Sequence, residues 1–409
     1  MVPPWDHHHN ADTAELYTSQ LEEKRAWTAM TEMLEHYGAS IEILPSETID
    51  GAHDIWTRDP SIMINEGGTS VAYVTSEYAM GPLAEKAETM ASYREYLENQ
   101  GIEVREVDAE IEGGNILIDP EKDIILYTTN STFSSINTNE MNDALQGFDM
   151  ARDHIAEIAP DNLEIYDIWL DELKGSIERG NFEEFSSYIE MVQNQNIIIP
   201  EGLPIEVDGR TYESTAFYVT QNAYKYEQAY NITQSNLDQL NQQADLLQAA
   251  TGIPVVPIAR TDGDLYHLDT FASVITHEQT HESYLLIHPD GTNPDTMERL
   301  EQIYGDNIIE LNDQDITDLG PNLVQSGNTL ITNNFSPETR TTLETLGFEV
   351  RGQNDVGLAY NLSYDDNNVG AFNQYIGSGV HCLTDEAAGI EIEQNKQIDG
   401  LGTPFHAGM

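Results

Sequence analysis

The chain has 409 residues, 72 of them acidic and 17 basic, for a formal net charge of −55. An apolar content of 39% is enough for a sizeable core, so this is not a disordered acidic tail. The charge excludes nucleic-acid binding through a basic face, and no apolar run reaches the roughly 18 residues of a membrane span.

The acid is interleaved with apolar residues along the whole length. Near 1 M salt the Debye length falls to about 3 Å and the self-repulsion is mostly screened. A protein of a high-salt cytoplasm, from a halophile, is the simplest expectation, and the charge then carries no information about the substrate. The first ten residues, MVPPWDHHHN, lack the basic start and apolar stretch of a secretory signal. The single cysteine, Cys382, excludes an internal disulfide and fits a reducing, cytoplasmic interior.

In chain order, one pattern recurs: an amphipathic helix, a glycine, then a short alternating strand. Asp12 and Glu15 resemble a capping pair. Trp27, Met30, Leu34 and Tyr37 follow at helical spacing, Gly38 ends the helix, and Ile41 and Ile43 alternate. Met90, Tyr93 and Leu97 lead to Gly101, Ile102 and Val104. Leu237, Leu240, Ala244 and Leu247 lead to Gly252, Ile253 and Val255. Met297, Leu300 and Tyr304 lead to Gly305, Ile308 and Leu311. Ser336 and Pro337 read as N-cap and N1, and Leu343 and Leu346 lead to Gly347, Phe348 and Val350. Glycine is expected there because the position after a helix takes a left-handed backbone.

Each unit continues into a turn and further β-like runs, such as PSIMI with SVAYVTS and NILIDPEKDIILYTT, so mixed sheets are expected. An ordinary parallel sheet would also use helix–glycine–strand links. The paired runs favour an α/β fold with five small units repeated around an axis, a five-bladed α/β propeller. The whole chain, 1–409, reads as one catalytic domain. Residues 131–230 form an inserted, mainly helical segment, with Ile165, Ile168, Trp169 and Leu173 at helical spacing and Tyr218, Tyr224, Tyr226 and Tyr230 near its end. It either packs on the side or serves as a lid or an oligomer contact.

A polar loop follows each of the first four repeated strands: DIWTRDP (Trp56, Arg58, Asp59), EGGN (Glu112 to Asn115), YHLDT (His267, Asp269) and NLVQSGN (Asn322 to Asn328); the fifth unit ends in GSGVHCLT around Cys382. Repetition around an axis would gather Asp59, Glu112, His267, Asp269 and Cys382 into one cleft. A thiol beside a histidine is a nucleophile with its acid/base. Three carboxylates around it would repel an oxyanion but match the N–H donors of a guanidinium. The set therefore points to attack of Cys382 on a guanidinium carbon. Taken singly, each residue also has a plain reading: Cys382 as a buried small hydrophobe, Asp59 as a turn cap, EGG as a hairpin turn, and His267 as a satisfied core histidine.

In this order, DIWTRDP, EGGN, HLD and HCLT resemble the guanidino-group modifying enzymes: arginine deiminases, dimethylarginine hydrolases, agmatine deiminases and amidinotransferases. The resemblance covers residues 38–130 and 250–390. It implies a five-bladed α/β propeller, the pentein fold. It also implies roles: Cys382 as nucleophile, His267 as general acid and then base, and Glu112 as the residue that orients His267. Asp59 and Asp269 would grip the guanidinium, and Trp56 would pack beside its plane. The covalent intermediate would be a thiouronium adduct, with no metal or organic cofactor. Water would resolve it to a ureido product plus ammonia or an amine; an amine acceptor would make the chain an amidinotransferase. His381 stands where arginine deiminases commonly carry an arginine for the substrate carboxylate, which puts free arginine in doubt. EGGN favours hydrolysis over transfer. Arg260 and Arg351 are candidates for a carboxylate contact. The expected partner is a small cationic guanidino substrate, with no nucleic acid or membrane, and the chain is a candidate homo-oligomer.

Two readings compete. His277 to His281 spell HEQTH, the HExxH pattern of zinc hydrolases, which requires both histidines on one helix face. Here the pattern lies between two strand-like runs and reads as a hairpin loop; Glu298 or Glu301 would have to supply a third ligand. A degenerate propeller acting as a non-catalytic binding protein is the other.

Overall fold

Two strands joined by a short turn pair antiparallel, whereas a helical crossover returns the chain so that the next strand runs parallel. Four sheets use both devices in the same order in the computed structural model of the chain. It describes residues 34–37, 61–66, 68–75, 83–129, 138–194, 198–199, 204–207, 209–261, 267–352 and 387–388. In the first sheet, β1 (Ser61–Glu66) pairs antiparallel with β2 (Thr69–Thr75), and α1 (Leu83–Asn99) leads to β3 (Glu103–Val107), parallel to β2. The second joins β4 (Ile116–Asp119) and β5 (Ile124–Tyr127) as a hairpin, with β8 (Val255–Pro257) parallel to β5. The third has the hairpin β9 (Ala272–Thr276) and β10 (Ser283–Ile287), then α6 (Pro294–Tyr304) and the parallel β11 (Ile308–Glu310). The fourth has the hairpin β12 (Val324–Ser326) and β13 (Thr329–Ile331), then α8 (Pro337–Thr345) and the parallel β14 (Glu349–Arg351). A short helix, α7 (Asp313–Thr317), lies between the third and fourth.

The glycines bear out their reading. Gly101, Gly252, Gly305 and Gly347 all have positive φ, between 56° and 96°. The frame of the repeat differs, however. Each post-glycine strand joins the hairpin before its helix, not the one after it, because the crossover brings the chain back to the sheet it left. At the start of α8, the Ser336 hydroxyl accepts from the Thr339 N–H and Pro337 occupies the first turn, as expected.

The sheets pack in sequence. Leu117, Ile124 and Leu126 of the second meet Ala272, Leu285 and Ile287 of the third, under Leu300 of α6. Tyr284 and Leu286 of the third meet Leu330 of the fourth and Leu343 of α8. Full burial of a side chain such as Leu300, 0% exposed, stabilises by about 1.5–3 kcal/mol. A two-residue strand, β15 (Ala387–Ala388), lies parallel to β1 with Met63 opposite Ala387. The first predicted unit, apart from residues 34–37, lies outside the described residues, and no sheet closes on itself among those described.

The chain divides into two compact units, one drawn from residues up to 134 and from 239 to 404, the other mainly from 135–238. The second holds α2 (Thr138–Ile158), α3 (Leu163–Glu178), α4 (Phe182–Asn194), the hairpin β6 (Ile205–Val207) and β7 (Arg210–Tyr212), and the first part of α5 (Thr215–Thr251). Its core includes Phe148, Ile155, Tyr166, Trp169, Leu173 and Tyr226. On α3, Trp169 and Leu173 face inward, but Ile165 and Ile168 face outward, 41% and 59% exposed. No helix among the described residues is long and apolar enough to cross a membrane.

Candidate active site

The second and third sheets are each entered through a single 3-10 turn, and the residues ahead of these turns meet. In EGGN, Glu112 is extended, its carbonyl accepts from the Asn115 N–H at 2.8 Å, and residues 113–115 form the turn into β4. In HLDT, His267 is likewise extended, and Leu268–Thr270 form the turn into β9. The Thr270 hydroxyl donates back to the His267 carbonyl at 2.6 Å and locks the loop. His267 Nε2 then lies 3.2 Å from Glu112 Oε2, with side-chain exposures of 5% and 0%.

Gly114 makes this approach possible. A Cβ on it would lie 2.4 Å from His267 Nδ1, so only glycine admits the imidazole there. Asp269, two residues beyond His267, is fully buried. Glu112 uses one oxygen on His267, and its buried Oε1 has no hydrogen-bonding partner among the described residues. A buried carboxylate oxygen left open is costly unless a ligand or water supplies a donor. Sequence reasoning passed over two further buried polar groups that follow the second strands of their hairpins: the Thr128 hydroxyl after β5 and both amide atoms of Asn333 after β13, all without partners among the described residues. A polar residue one or two positions after the second strand of a hairpin is the signal that marks them.

The local field is strongly negative. Burial, and then the neighbouring Glu112 carboxylate, push the Glu110 carboxyl above its usual range. Burial and the charges of Glu110 and Glu112 push the Tyr127 phenol well up; its hydroxyl donates to the Glu110 carbonyl at 2.9 Å. A cation is the ligand such a place attracts. Arg260, 2% exposed, donates from Nη2 to the Thr129 carbonyl at 3.2 Å.

HEQTH forms the hairpin turn between β9 and β10. His281 has φ 58° and pairs with Glu121 at 2.9 Å, while the His277 ring packs edge-on against Phe348. The two imidazoles thus face different neighbours and not one metal. His288, Asp290 and Asp313 also cluster. There, His288 Nδ1 accepts from the Gly291 N–H and Nε2 donates to Asp313, so both ring nitrogens are already used.

No family model and no curated protein sequence matches the chain. Solved structures do. The N-terminal domain of ArgZ, covalently bound to a reaction intermediate, superposes with a TM-score of 0.51 at 14% identity, over 95% of this chain and 97% of that one. The same domain as a cysteine-to-serine mutant bound to substrate, described as an arginine dihydrolase from Cyanobacteria, gives 0.52 at 14% identity, over 96% and 98%. A cysteine-to-alanine mutant of AgrE in complex with L-arginine gives 0.54 at 13% identity, over 96% of this chain and 40% of that one.

The chain has the fold of the guanidino-group modifying enzymes, the penteins.

On this pentein frame the structure brings together Glu112 and His267, with Asp269 in the same loop as His267. Trp56, Arg58, Asp59 and Cys382 lie outside the described residues.

Proposed function

We propose that the chain is a cysteine-dependent hydrolase of a guanidino compound, acting on carbon–nitrogen bonds of an amidine. The observation that carries this reading is the buried His267–Glu112 pair, with Asp269 in the same loop, in a fold shared with an arginine dihydrolase captured covalently bound to a reaction intermediate. In this reading the chain closes as a five-bladed propeller, a single catalytic domain with residues 131–230 inserted.

Asp59 and Asp269 hold the guanidinium and Trp56 covers its plane. The open oxygen of Glu112 adds an acceptor, while its other oxygen fixes the His267 ring. The Cys382 thiolate adds to the guanidinium carbon. His267 protonates the departing amine, leaving a thiouronium on sulfur. It then takes a proton from water, which adds to the same carbon; the C–S bond breaks, and the ureido product leaves with the thiolate restored. The parallel register of β1 and β15 supports this assembly. In sequence Asp59 precedes Met63 by four residues and Cys382 precedes Ala387 by five, and Met63 stands opposite Ala387 in that register.

The test is an assay in about 2–3 M KCl, where surface charge is screened, with arginine, agmatine and methylated arginines, reading ammonia, amine and ureido product. Loss of product on thiol alkylation but not on chelation is the expected result. Product that appears only with an added amine acceptor would make the chain an amidinotransferase. Activity lost to the chelator alone, or no turnover of any guanidine with or without acceptor, would overturn the thiol mechanism.

A further inference from the structure

We propose that the outward face of α5 between Phe217 and Ser235 is the surface through which two copies of this chain pair about a two-fold axis. Among the described residues, every large apolar side chain left exposed falls between Met150 and Ile232. Three of them, Phe217, Tyr224 and Ile232, are 55%, 51% and 39% exposed. Their spacings of seven and eight residues set them on one stripe of the helix. The Phe185 ring of α4 meets Tyr224 edge-on at 5.7 Å and broadens the patch toward the exposed Phe182.

The rest of that face is Gln221, Lys225, Gln228, Asn231 and Ser235. It carries no exposed carboxylate before Asp238, in a chain with 72 of them. The half-buried Glu227 flanks it, and Glu183 and Glu184 lie beyond, on α4. A cationic partner would be recognised by carboxylates, which this face lacks. A partner as acidic as the chain itself needs the reverse, a contact free of acid.

The stripe is also self-complementary. Pairing two α5 helices antiparallel about a point between Tyr224 and Lys225 sets Phe217 against the partner's Ile232 and Gln221 against the partner's Gln228. Tyr224 then stands against the partner's Lys225, an aromatic face against an ammonium. That is the pattern of an isologous interface, where residue i meets j and j meets i. Because the pairing is apolar and the remaining surfaces repel, added salt strengthens it.

The test is the molar mass in solution by light scattering, at about 0.1 M and about 2 M KCl, for the full chain and for Tyr224→Glu. A dimer favoured by salt and weakened about tenfold or more by Tyr224→Glu is expected. In a Cys382→Ala background, Tyr224→Cys should be joined into dimers by a short bis-maleimide, while Asp171→Cys, exposed on α3, should not. A monomer at both salt concentrations, a dimer indifferent to Tyr224→Glu, or equal cross-linking at both positions would each overturn the proposal.

Discussion

In the proposed mechanism His267 acts only if its ring is held, and Glu112 Oε2 lies 3.2 Å from its Nε2. Glu112→Gln keeps the shape but loses the charge, and kcat is expected to fall about 100-fold or more with near-UV circular dichroism unchanged. Cys382→Ser should lower kcat by about a thousandfold or more while leaving far-UV circular dichroism intact; wild-type-like turnover would remove the thiol from the mechanism. Glu110 offers a separate check through pH. Its folded-state carboxyl lies above the ordinary 4.5, first through burial and then through Glu112. Whatever Glu110 contributes to stability is therefore present at low pH and lost as pH rises through the folded value. Glu110→Gln should raise the denaturation midpoint at pH 7, with the gain shrinking as pH falls toward 4.5. A gain that grew with acidity would contradict the sign.

At the scale of elements, the two turns before β4 and β9 decide the site, and their closeness rests on Gly114. Gly114→Ala places a methyl where the imidazole lies, 2.4 Å from Nδ1, and is expected to cost roughly 100-fold in kcat with little change in melting temperature. A second junction is structural. Fully buried Asp315 accepts from the Asn312 and Ser336 N–H groups and from the Thr339 hydroxyl, tying the start of α7 to the start of α8. Asp315→Asn turns an amide NH2 against those donors and should cost about 2 kcal/mol in urea denaturation. EGGN and HLD were legible as chemistry, and the glycines that end α1, α5, α6 and α8 were legible as caps. The Gly114–His267 contact was not, because 153 positions separate its partners and only folding brings them together. HEQTH shows the converse. Its letters fit a helix motif, but the strands on either side pair and force it into a turn.

For the whole molecule, charge is the governing quantity. A net charge of −55 opposes the compact state through self-repulsion that salt screens. The melting temperature is therefore expected to rise between about 0.1 M and 2 M KCl, more steeply than for a near-neutral protein of the same size; a flat response would argue against adaptation to salt. Stability and pairing through α5 then follow the same variable, so both belong in one salt series. Tyr224→Glu separates them, because it should weaken pairing without altering the salt dependence of the monomer's melting.

What the sequence by itself determined is what neighbouring residues decide. Helices end at Gly101, Gly252, Gly305 and Gly347 because a left-handed backbone is cheapest there, and hairpins form where apolar runs flank a turn. The order of DIWTRDP, EGGN, HLD and HCLT pointed to a guanidinium because carboxylates, an imidazole and a thiol together suit that cation. The tertiary structure decided which hairpin each post-helix strand joins, since either neighbour offers an open edge and only the crossover selects one. It also turned Ile165 and Ile168 outward while Trp169 and Leu173 went in, because all four suit a helix and packing against neighbouring helices alone settles which stripe is covered. And it brought His267 against Glu112, a contact that depends on two sheets packing side by side and on a glycine with no side chain to keep them apart.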